Sequence, residues 1–553
     1  MTHIRVAGLA RVEGEGGLEI VTEHGQVTEA RLDIYEPPRF FEGLLRGRRY
    51  TEPPDITARI CGICPVAYQM SACRAIEDAC GVTVPEPVNA LRRLLYCGEW
   101  IESHVLHIYL LHAPDFLGYE SGIHMARDHP GLLERGLRLK RAGNRLMEVI
   151  GGRSVHPVNV RVGGFYRAPN AHDLRGLADE LEWARQAALD TVGWVEAFRF
   201  PDFSRDYEFV SLRDPAGYPV MGDRIVSSRG LDIPAEDYDK NFTEFQVPHS
   251  TALHSVLDGS RTYMVGPMAR YSMNSGHLPE AAASAARAAG LGATCTNPFR
   301  SIIVRAVELV YACEEALRLI EHYEPPDPPS VDVPPAEATG YGCTEAPRGL
   351  LYHRYRITAD GTITDAKIVP PTSQNQRVIE TDLREFVGPR LDLPHDRLTW
   401  ECEQAVRNYD PCISCSTHFL DLRILNQAGL WHEARYLVRR RPGSGDELGH
   451  LRGHDRGPEL RVGRAGHYGR VRAPDRGPGR GSSAPVHHGR VEDSRPGRID
   501  PADVAGQPDG ARCGRRGPGL EAARLPGVAA EAGGRRAGDD RRGRHRILGV
   551  PAS

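Results

Sequence analysis

The chain of 553 residues is long enough to bury a sizeable core and to form several structural units. It contains no uninterrupted apolar stretch of about 18 residues, as a membrane span requires, and its first residues lack a signal-peptide core. The 12 cysteines are scattered, with two close pairs, which favours reduced thiols over a disulfide framework. We therefore expect a cytoplasmic protein without a membrane span.

The formal charge of −4 conceals two unlike parts of the chain. Residues 441–553 contain 22 Arg, no Lys, 9 Asp and 5 Glu, a charge of +8, so the remainder carries −12. Gly, Arg and Pro make up 57 of these 113 residues, and such a segment cannot bury enough apolar surface to fold. The lack of Lys and of interleaved aromatics argues against nucleic-acid binding. We predict a disordered tail and interpret the sequence after about Arg440 as a frameshift or read-through product of G/C-rich DNA.

The rest of the chain predicts an α+β fold with a large helical bundle core. Alternating β-branched residues at 4–12 and 18–34, broken by glycines, predict an N-terminal β meander with Glu13 at a strand end. The later segments are assigned by their periodicity: helices at 86–200 and 278–322, a smaller β-rich insert at 205–265, a stiff proline-rich connector at 324–335 and a hairpin at 351–369.

Two distant Cys-x-x-Cys pairs are the strongest chemical signal. The first is Cys61-Gly62-Ile63-Cys64, which feeds a predicted helix N-terminus that favours thiolate. The second is Cys412-Ile413-Ser414-Cys415, preceded by Asp410-Pro411. A two-residue gap lets both sulfurs of a pair reach one soft metal centre. Each pair alone is typical of a redox dithiol or half a zinc site; together they predict a single four-thiolate site.

Other candidate residues are weak signals when taken singly. His104 and His107 lie three apart on one predicted helix and could ligate a metal, but their apolar surroundings favour core histidines. Glu13 alone is typical of a surface carboxylate, Arg348 of a surface cation and Thr372 of a turn residue. Their meaning depends on the motifs around them.

Three motifs together resemble the large, catalytic subunit of a [NiFe] hydrogenase. They are listed in chain order: Arg59-Ile60-Cys61-Gly62-Ile63-Cys64, Ala346-Pro347-Arg348-Gly349, and Asp410-Pro411-Cys412-Ile413-Ser414-Cys415-Ser416-Thr417-His418. The resemblance covers about residues 1–425 and is nearest to the cytoplasmic, cofactor-coupled branch, which includes NADP-linked and sulfhydrogenase-type enzymes. Tyr68 stands where many members of the family place His.

The resemblance implies a nickel–iron centre that splits or makes H2. Cys61 and Cys412 would be terminal nickel ligands, and Cys64 and Cys415 would bridge nickel to iron. The iron would also carry CO and cyanide. Heterolysis of H2 needs a Lewis-acidic metal and a nearby base, and the base would be the Cys412 thiolate or Arg348.

The resemblance also assigns roles around the centre. Arg348, next to Pro347, would lie over the open metal position, and Asp115 would help to fix Arg348. Thr372 would hydrogen-bond a cyanide, and Glu13 would take the proton from Cys412. Two further residues would help to hold a magnesium or similar ion: Glu42 and His418.

Partners follow from the same resemblance and from the remaining cysteines, which lack iron–sulfur cluster spacing. Electrons would leave through a small subunit with iron–sulfur clusters and through flavin- or NAD(P)-binding diaphorase-type subunits. Nickel-insertion factors and a maturation protease that cleaves after His418 would complete the site. We divide the chain into a hydrogenase domain at 1–425 and a tail at 426–553, the tail being either a sequence artefact or a removed extension.

Two alternatives use the same cysteines. A structural zinc protein would also bind through four thiolates, but zinc ribbons usually keep their pairs about 15–20 residues apart. An H2-sensing regulatory subunit would carry the same centre with slow turnover. Metal analysis and turnover distinguish these alternatives from the enzyme.

Overall fold

The computed structural model describes residues 2–37, 39–215 and 217–417, together with two short strands, Arg423–Leu425 and Trp431–Glu433. All of them belong to one compact unit, Met1–Leu448. His418 and most of the predicted tail lie outside the described residues. Among the described helices, none is both long enough and apolar enough to cross a bilayer.

The chain opens with the predicted antiparallel meander. Its strands are β1 (Thr2–Val6), β2 (Gly16–Glu23) and β3 (Gln26–Ile34), paired in the order β1-β2-β3. His24 and Gly25, both with positive φ, form the two-residue turn between β2 and β3. The first strand ends at Val6, short of the predicted Val12, and the chain bends further on at Arg11, with φ +57°. This bend places Glu13 beside Cys412, and the two residues form a parallel β-bridge.

Long helices form the core, as the periodicity predicts. The principal ones are α3 (Pro65–Ala79), α4 (Glu86–Val105), α7 (Pro130–Gly151), α9 (Ala178–Glu196) and α13 (Ser301–Glu321). Helices α4 and α7 approach closely at a pair of glycines: a Cβ on Gly98 would lie 3.0 Å from the carbonyl oxygen of Gly143, and the reverse distance would be 2.7 Å. Small residues at this crossing let the two backbones touch.

The helix predicted through Trp100–Asp115 is not continuous. Helix α4 ends at Val105, a π-helical segment covers Leu106–His112, and α5 covers Ala113–Leu117. Pro114 explains the change, because proline has no N–H to donate and its ring would clash with the carbonyl four residues earlier. The wider turn redirects the chain just before Asp115.

Two β-rich regions pack around the helices. The insert predicted at 205–265 is confirmed, with β6 (Val210–Arg213), β7 (Arg224–Ser227) and β8 (Asp232–Pro234) in one sheet and β9 (Phe242–Phe245) and β10 (His254–Leu257) in another. The predicted hairpin is also confirmed as β12 (Gly349–Ile357) and β13 (Ile363–Val369). A third strand, β11 (Ala338–Ala346), pairs with β12 and was not predicted. A two-residue hairpin, β4 (Val160–Arg161) and β5 (Gly164–Phe165), interrupts the helical block.

The remaining helices are short or lie near the C-terminal cysteines. They are α1 (Phe41–Leu45), α2 (Pro53–Thr57), α6 (Gly122–Asp128), α8 (Ala171–Arg175), α10 (Tyr238–Asn241), α11 (Pro267–Asn274), α12 (Glu280–Ala288), α14 (Pro371–Val387), α15 (His395–Arg407) and α16 (Ile413–Ser416). Thr372, weighed alone as a turn residue, lies in the first turn of α14. Four 3₁₀ segments lie between neighbouring elements of the described chain: Ala235–Asp237, Ser275–His277, Pro298–Arg300 and Gly388–Arg390.

Candidate metal centre

The two cysteine pairs meet in one buried cluster. Cys61 and Cys64 lie in the turn before α3, and Cys412 and Cys415 lie on the turn that forms α16. The Sγ–Sγ distances are 3.5 Å for Cys61–Cys412, 4.0 Å for Cys64–Cys415 and 2.8 Å for Cys412–Cys415. All four sulfur atoms lie within 4.8 Å of one another. The predicted four-thiolate site is therefore present in the folded chain.

The surroundings of the sulfurs differ in their effect on charge. The other thiols, together with the Arg348 cation, lower the pKa of Cys61, and the amides of Ile63 and Cys64 each lie 3.3 Å from its sulfur. Burial raises the pKa of Cys412 and of Cys415. A cation entering the cluster would displace the retained protons, as expected when metal binding is coupled to thiol ionisation.

The donor set fits a soft transition metal. Four sulfurs and no oxygen or nitrogen make up the group of candidate ligand atoms, and all four residues are buried. Thiolates of this kind bind zinc, nickel and iron in preference to hard cations such as magnesium. The cluster is therefore suited to hold a nickel–iron group.

Arg348 occupies the two-residue turn between β11 and β12 and is only 2% exposed. Its Nε donates to the carbonyl oxygen of Asp410 at 2.7 Å, and its Nη2 donates to Asp410 Oδ1 at 3.0 Å. Burial works to lower the pKa of Arg348, but the Asp410 carboxylate and the nearby cysteines raise it well above its usual value. The guanidinium is thus a fixed cation beside the cluster.

Asp115 contacts two arginines other than Arg348, the residue that it was expected to help fix. Asp115 instead accepts hydrogen bonds from Arg407 at 2.7 and 2.8 Å and from Arg11 at 2.5 Å. The π-helical segment and α5 turn Asp115 toward the end of α15, where the Arg407 guanidinium forms a bidentate pair with its carboxylate. Asp410, two residues before Cys412, makes the direct contact with Arg348; the sequence reasoning included it in the second cysteine motif but gave it no role.

Glu13 lies where the resemblance expects it. The Cys412 thiol is 3.1 Å from Glu13 Oε2, which also accepts the amide N–H of Ser414 at 3.1 Å. The Ile413 amide donates to the Glu13 carbonyl at 2.9 Å. Backbone and side chain therefore both tie the N-terminal turn to the second cysteine pair.

Thr372 and Pro347 support the same region. Thr372 Oγ1 accepts the amide N–H of Cys412 at 3.0 Å, which joins α14 to the cluster. The Pro347 carbonyl accepts a hydrogen bond from Arg270 Nη2 at 3.0 Å, while Arg270 also pairs with Glu308 and Glu345. This buried network, absent from the sequence predictions, holds the turn that carries Arg348.

Glu42 lies next to the cluster. It accepts the Ile368 amide at 2.8 Å and lines a cavity of about 20 Å³ together with Cys415, Ser414 and Thr417. A cavity of this size has room for one water molecule or ion. The second predicted magnesium ligand, His418, lies outside the described residues, so that ion site stays a prediction.

Two further residues contact this region: Glu99, which the sequence reasoning missed, and Tyr68. The Glu99 carboxylate accepts the amides of Val66 and Ala67 at the start of α3, and burial raises its pKa well above the usual value. Tyr68 is buried, and its hydroxyl has no hydrogen-bond partner among the described residues. The sequence could have revealed Glu99, because it is a charged residue among the apolar residues that α4 buries.

The histidines of α4 and the π-helical segment have other partners. His104 Nε2 lies 3.0 Å from Glu308 Oε2, and His107 Nε2 bonds the Arg407 carbonyl at 2.8 Å. Burial lowers the pKa of both. They are core histidines, as their apolar sequence surroundings favoured.

A buried four-thiolate cluster with an adjacent buried arginine defines the class of a protein with a thiolate-ligated metal site. The sequence profile of the nickel-dependent hydrogenase family matches residues 39–128 and 283–418, which contain both cysteine pairs. The chain is 35% identical to the alpha subunit of sulfhydrogenase 1 from Pyrococcus furiosus over 76% of its own length and 98% of that protein. It is 36% identical to the alpha subunit of sulfhydrogenase 2 from the same organism, over 76% of its own length and all of that protein.

Solved structures agree with these sequence matches. A structure of an NAD+-reducing [NiFe]-hydrogenase in the H2-reduced state superposes with a TM-score of 0.69 and 26% identity, covering 76% of this chain and all of that one. The Ni-Fe-Se hydrogenase from D. vulgaris Hildenborough shares the fold, with a TM-score of 0.60, 23% identity and coverage of 75% of this chain and all of that one. The chain belongs to the nickel-dependent hydrogenase large-subunit family and is an oxidoreductase that acts on H2.

Proposed function

We propose that this subunit catalyses reversible heterolytic cleavage of H2 at a nickel–iron group whose iron carries CO and cyanide. The observation that carries the proposal is the convergence of four buried sulfurs within 4.8 Å of one another. Cys61 and Cys412 would hold nickel, and Cys64 and Cys415 would hold nickel and iron together. When bound, the group supplies Lewis acidity and redox capacity; the protein supplies positioning, charge and a proton path.

The proton path begins at Cys412. Its sulfur lies 3.1 Å from Glu13 Oε2, within reach for direct transfer of a proton from thiol to carboxylate. Arg348, the other candidate base, has its Nε and Nη2 committed to Asp410. These contacts favour Cys412 as the base and Glu13 as the first acceptor, with Arg348 fixing a positive charge over the reacting position.

Thr372 and Asp410 act through their neighbours. Because Thr372 Oγ1 accepts the Cys412 amide, its own hydroxyl proton remains available to donate to a cyanide ligand of iron. Asp410 is a positioning residue, since it orients the Arg348 guanidinium through both its carbonyl and its carboxylate. Glu42 would hold a magnesium or similar ion beside Cys415, and His418, outside the described residues, is the predicted second ligand.

Electrons leave this subunit through a small subunit with iron–sulfur clusters. Apart from the four site cysteines, the described cysteines form no further group with metal-ligand spacing, which supports export to a partner. The similarity to an NAD+-reducing enzyme supports flavin- or NAD(P)-binding subunits beyond it and a cytoplasmic location. Nickel-insertion factors and a protease that cuts after His418 complete maturation, which would separate the hydrogenase domain from the tail.

Infrared spectroscopy of the purified complex tests the proposal. We expect sharp CO and cyanide bands, about one nickel per complex with iron in excess because the small subunit adds iron–sulfur clusters, and H2-dependent reduction of a dye. Cys412→Ser should abolish the bands and the activity, whereas Cys313→Ala, at a buried cysteine of α13 remote in sequence from both pairs, should keep both. Zinc in place of nickel would identify the structural zinc protein, and intact bands with very slow turnover would identify the H2 sensor.

A further inference from the structure

A second group of potential metal ligands lies outside the four-thiolate cluster. His249 is in the loop between β9 and β10, His254 begins β10, and Glu380 projects from α14. His249 Nε2 is 2.7 Å from Glu380 Oε1, and His254 Nε2 is 3.8 Å from the same oxygen. The three ligand atoms all lie within 4.8 Å of one another.

His254 provides an independent sign of a missing partner. The residue is 2% exposed, and its Nε2 has no hydrogen-bond partner among the described residues although it points toward Glu380 and His249. A buried polar atom without a partner costs free energy unless something fills the gap. A metal ion held between the two imidazoles and the carboxylate would satisfy it.

The surroundings of the three residues orient the Glu380 carboxylate and leave the group open to solvent. The Leu32 amide donates to Glu380 Oε1 at 3.0 Å, the kind of outer contact that orients a metal-binding carboxylate. The group opens into a cavity of about 610 Å³ that is also lined by Glu29, Arg31, Arg377 and Arg384. The open side leaves room for water ligands. Glu29 pairs with Arg31, so the charges of Arg377 and Arg384 oppose a cation and Glu380 offsets them in part.

We infer that His249, His254 and Glu380 form a binding site for a divalent transition metal of the zinc type. Two imidazoles and one carboxylate are a common ligand set for zinc with an open position, and neutral nitrogen ligands disfavour magnesium and calcium. The metal would join the loop between β9 and β10 to α14, a link between residues 131 apart in sequence.

The link has a structural consequence near the C-terminal cysteines. Thr251, in the same loop, donates its amide to the Ile34 carbonyl at 2.7 Å, and Ala252 forms an antiparallel bridge with Thr417. Helix α14 begins with the contact from Thr372 to the Cys412 amide. A metal at this site therefore fastens together two elements that hold the segment from Cys412 to Thr417.

Metal analysis of the full complex tests the inference. The wild-type complex should contain one equivalent of zinc beyond its nickel and iron, or should acquire it from added zinc. Glu380→Gln keeps an oxygen that can accept the Leu32 amide but removes the negative ligand, and His249→Gln removes an imidazole. Each should weaken zinc binding by at least about tenfold, the scale found when even an outer contact of a metal ligand is lost. His172→Ala, at an exposed histidine of α8, should leave the zinc content unchanged.

A cobalt titration of wild-type protein keeps the test independent of variant folding. After treatment with a chelator that spares the nickel–iron group, Co²⁺ should produce a visible absorption band that Zn²⁺ removes and Mg²⁺ does not. Bound Zn²⁺ should also raise the thermal midpoint by linkage. The inference is overturned if the wild type takes up neither zinc nor cobalt, or if the Glu380 and His249 variants bind as much zinc as the His172 variant. Infrared bands of the nickel–iron group in the same samples report separately on the proposed function.

Discussion

At the scale of single residues, the site depends on contacts that place one atom within reach of another. Glu13 offers the sharpest case, because its Oε2 touches both the Cys412 thiol and the Ser414 amide. Asp410 makes a comparable pair of contacts, because its backbone carbonyl and its carboxylate both accept hydrogen bonds from Arg348. These pairs join parts of the chain that the sequence keeps far apart.

Glu13→Gln should slow turnover without removing the metals. Glutamine keeps an oxygen for the Ser414 amide but cannot take a proton, and loss of a positioned proton acceptor costs about 10²–10⁴-fold in rate. We expect unchanged nickel and iron content with slower H2 oxidation and slower H/D exchange with solvent. Glu15→Gln, an exposed neighbour, should behave as wild type. Wild-type exchange rates in the Glu13 variant would remove Glu13 from the proton path.

Arg348→Lys should cost far more activity than its conservative appearance suggests. Lysine cannot reproduce the Nε and Nη2 contacts to Asp410, so the charge would lose its fixed position over the cluster. Misplacement by about 1 Å can cost about 10²-fold in rate. Arg287→Lys, at an exposed arginine paired with Glu280, is the matched control. Equal activity of the two variants, at equal nickel content, would contradict a role for the guanidinium.

At the scale of elements, alternation and periodicity predict the meander, the main helices and the β12–β13 hairpin, because those signals are local. Strand β11 escaped prediction since Gly340 and Gly342 weaken its pattern. Both glycines serve the packing of β11 on α3: a Cβ on Gly340 would lie 2.0 Å from the Ala75 carbonyl oxygen. The π-helical segment also escaped prediction. The sequence on both sides of it is apolar and helix-like, so only the position of Pro114 marks the change.

Gly342→Ala should therefore destabilise the protein. A Cβ there would lie 2.4 Å from the Ser71 carbonyl oxygen and 2.6 Å from the Ala75 amide nitrogen, so α3 and β11 would have to separate. Overpacking of this kind costs about 1–3 kcal/mol. Gly193→Ala on α9, where a Cβ meets nothing within 4 Å, should instead stabilise by about 0.5–1 kcal/mol. Thermal midpoints that shift in the same direction for both variants would contradict this packing argument.

At the scale of the whole molecule, the fold brings together residues that no local pattern connects. The two cysteine pairs could be predicted to converge because the two motifs are specific when taken together and their thiolates suit one metal site. The direct partners of Asp115, Arg11 and Arg407, could not be predicted, because three arginines lie near two aspartates and only the folded chain shows which of them meet. The triad of His249, His254 and Glu380 has the same character: its ligands come from a loop, a strand and a distant helix.

Asp382 on α14 joins three distant parts of the chain and makes their stability depend on pH. Its carboxylate accepts hydrogen bonds from the hydroxyls of Tyr207 and Tyr409 and lies 3.4 Å from Arg205 Nε. Burial is the largest effect on the group and raises the pKa of Asp382 from 3.8 to about 6. The folded chain therefore holds this proton where the unfolded chain has released it.

Because the pKa is higher in the folded state, the contribution of this group is fully present below about pH 4 and is lost as the pH rises through about 6. A shift of about two units corresponds to roughly 3 kcal/mol. Asp382→Asn cannot titrate, so the free energy of unfolding of the wild type relative to the variant should fall by roughly that amount across this interval. Thermal midpoints of the two proteins, measured in parallel at several pH values, should converge or cross as the pH rises. A difference between the midpoints that stays constant with pH would show that Asp382 ionises in the folded chain as it does in the unfolded one.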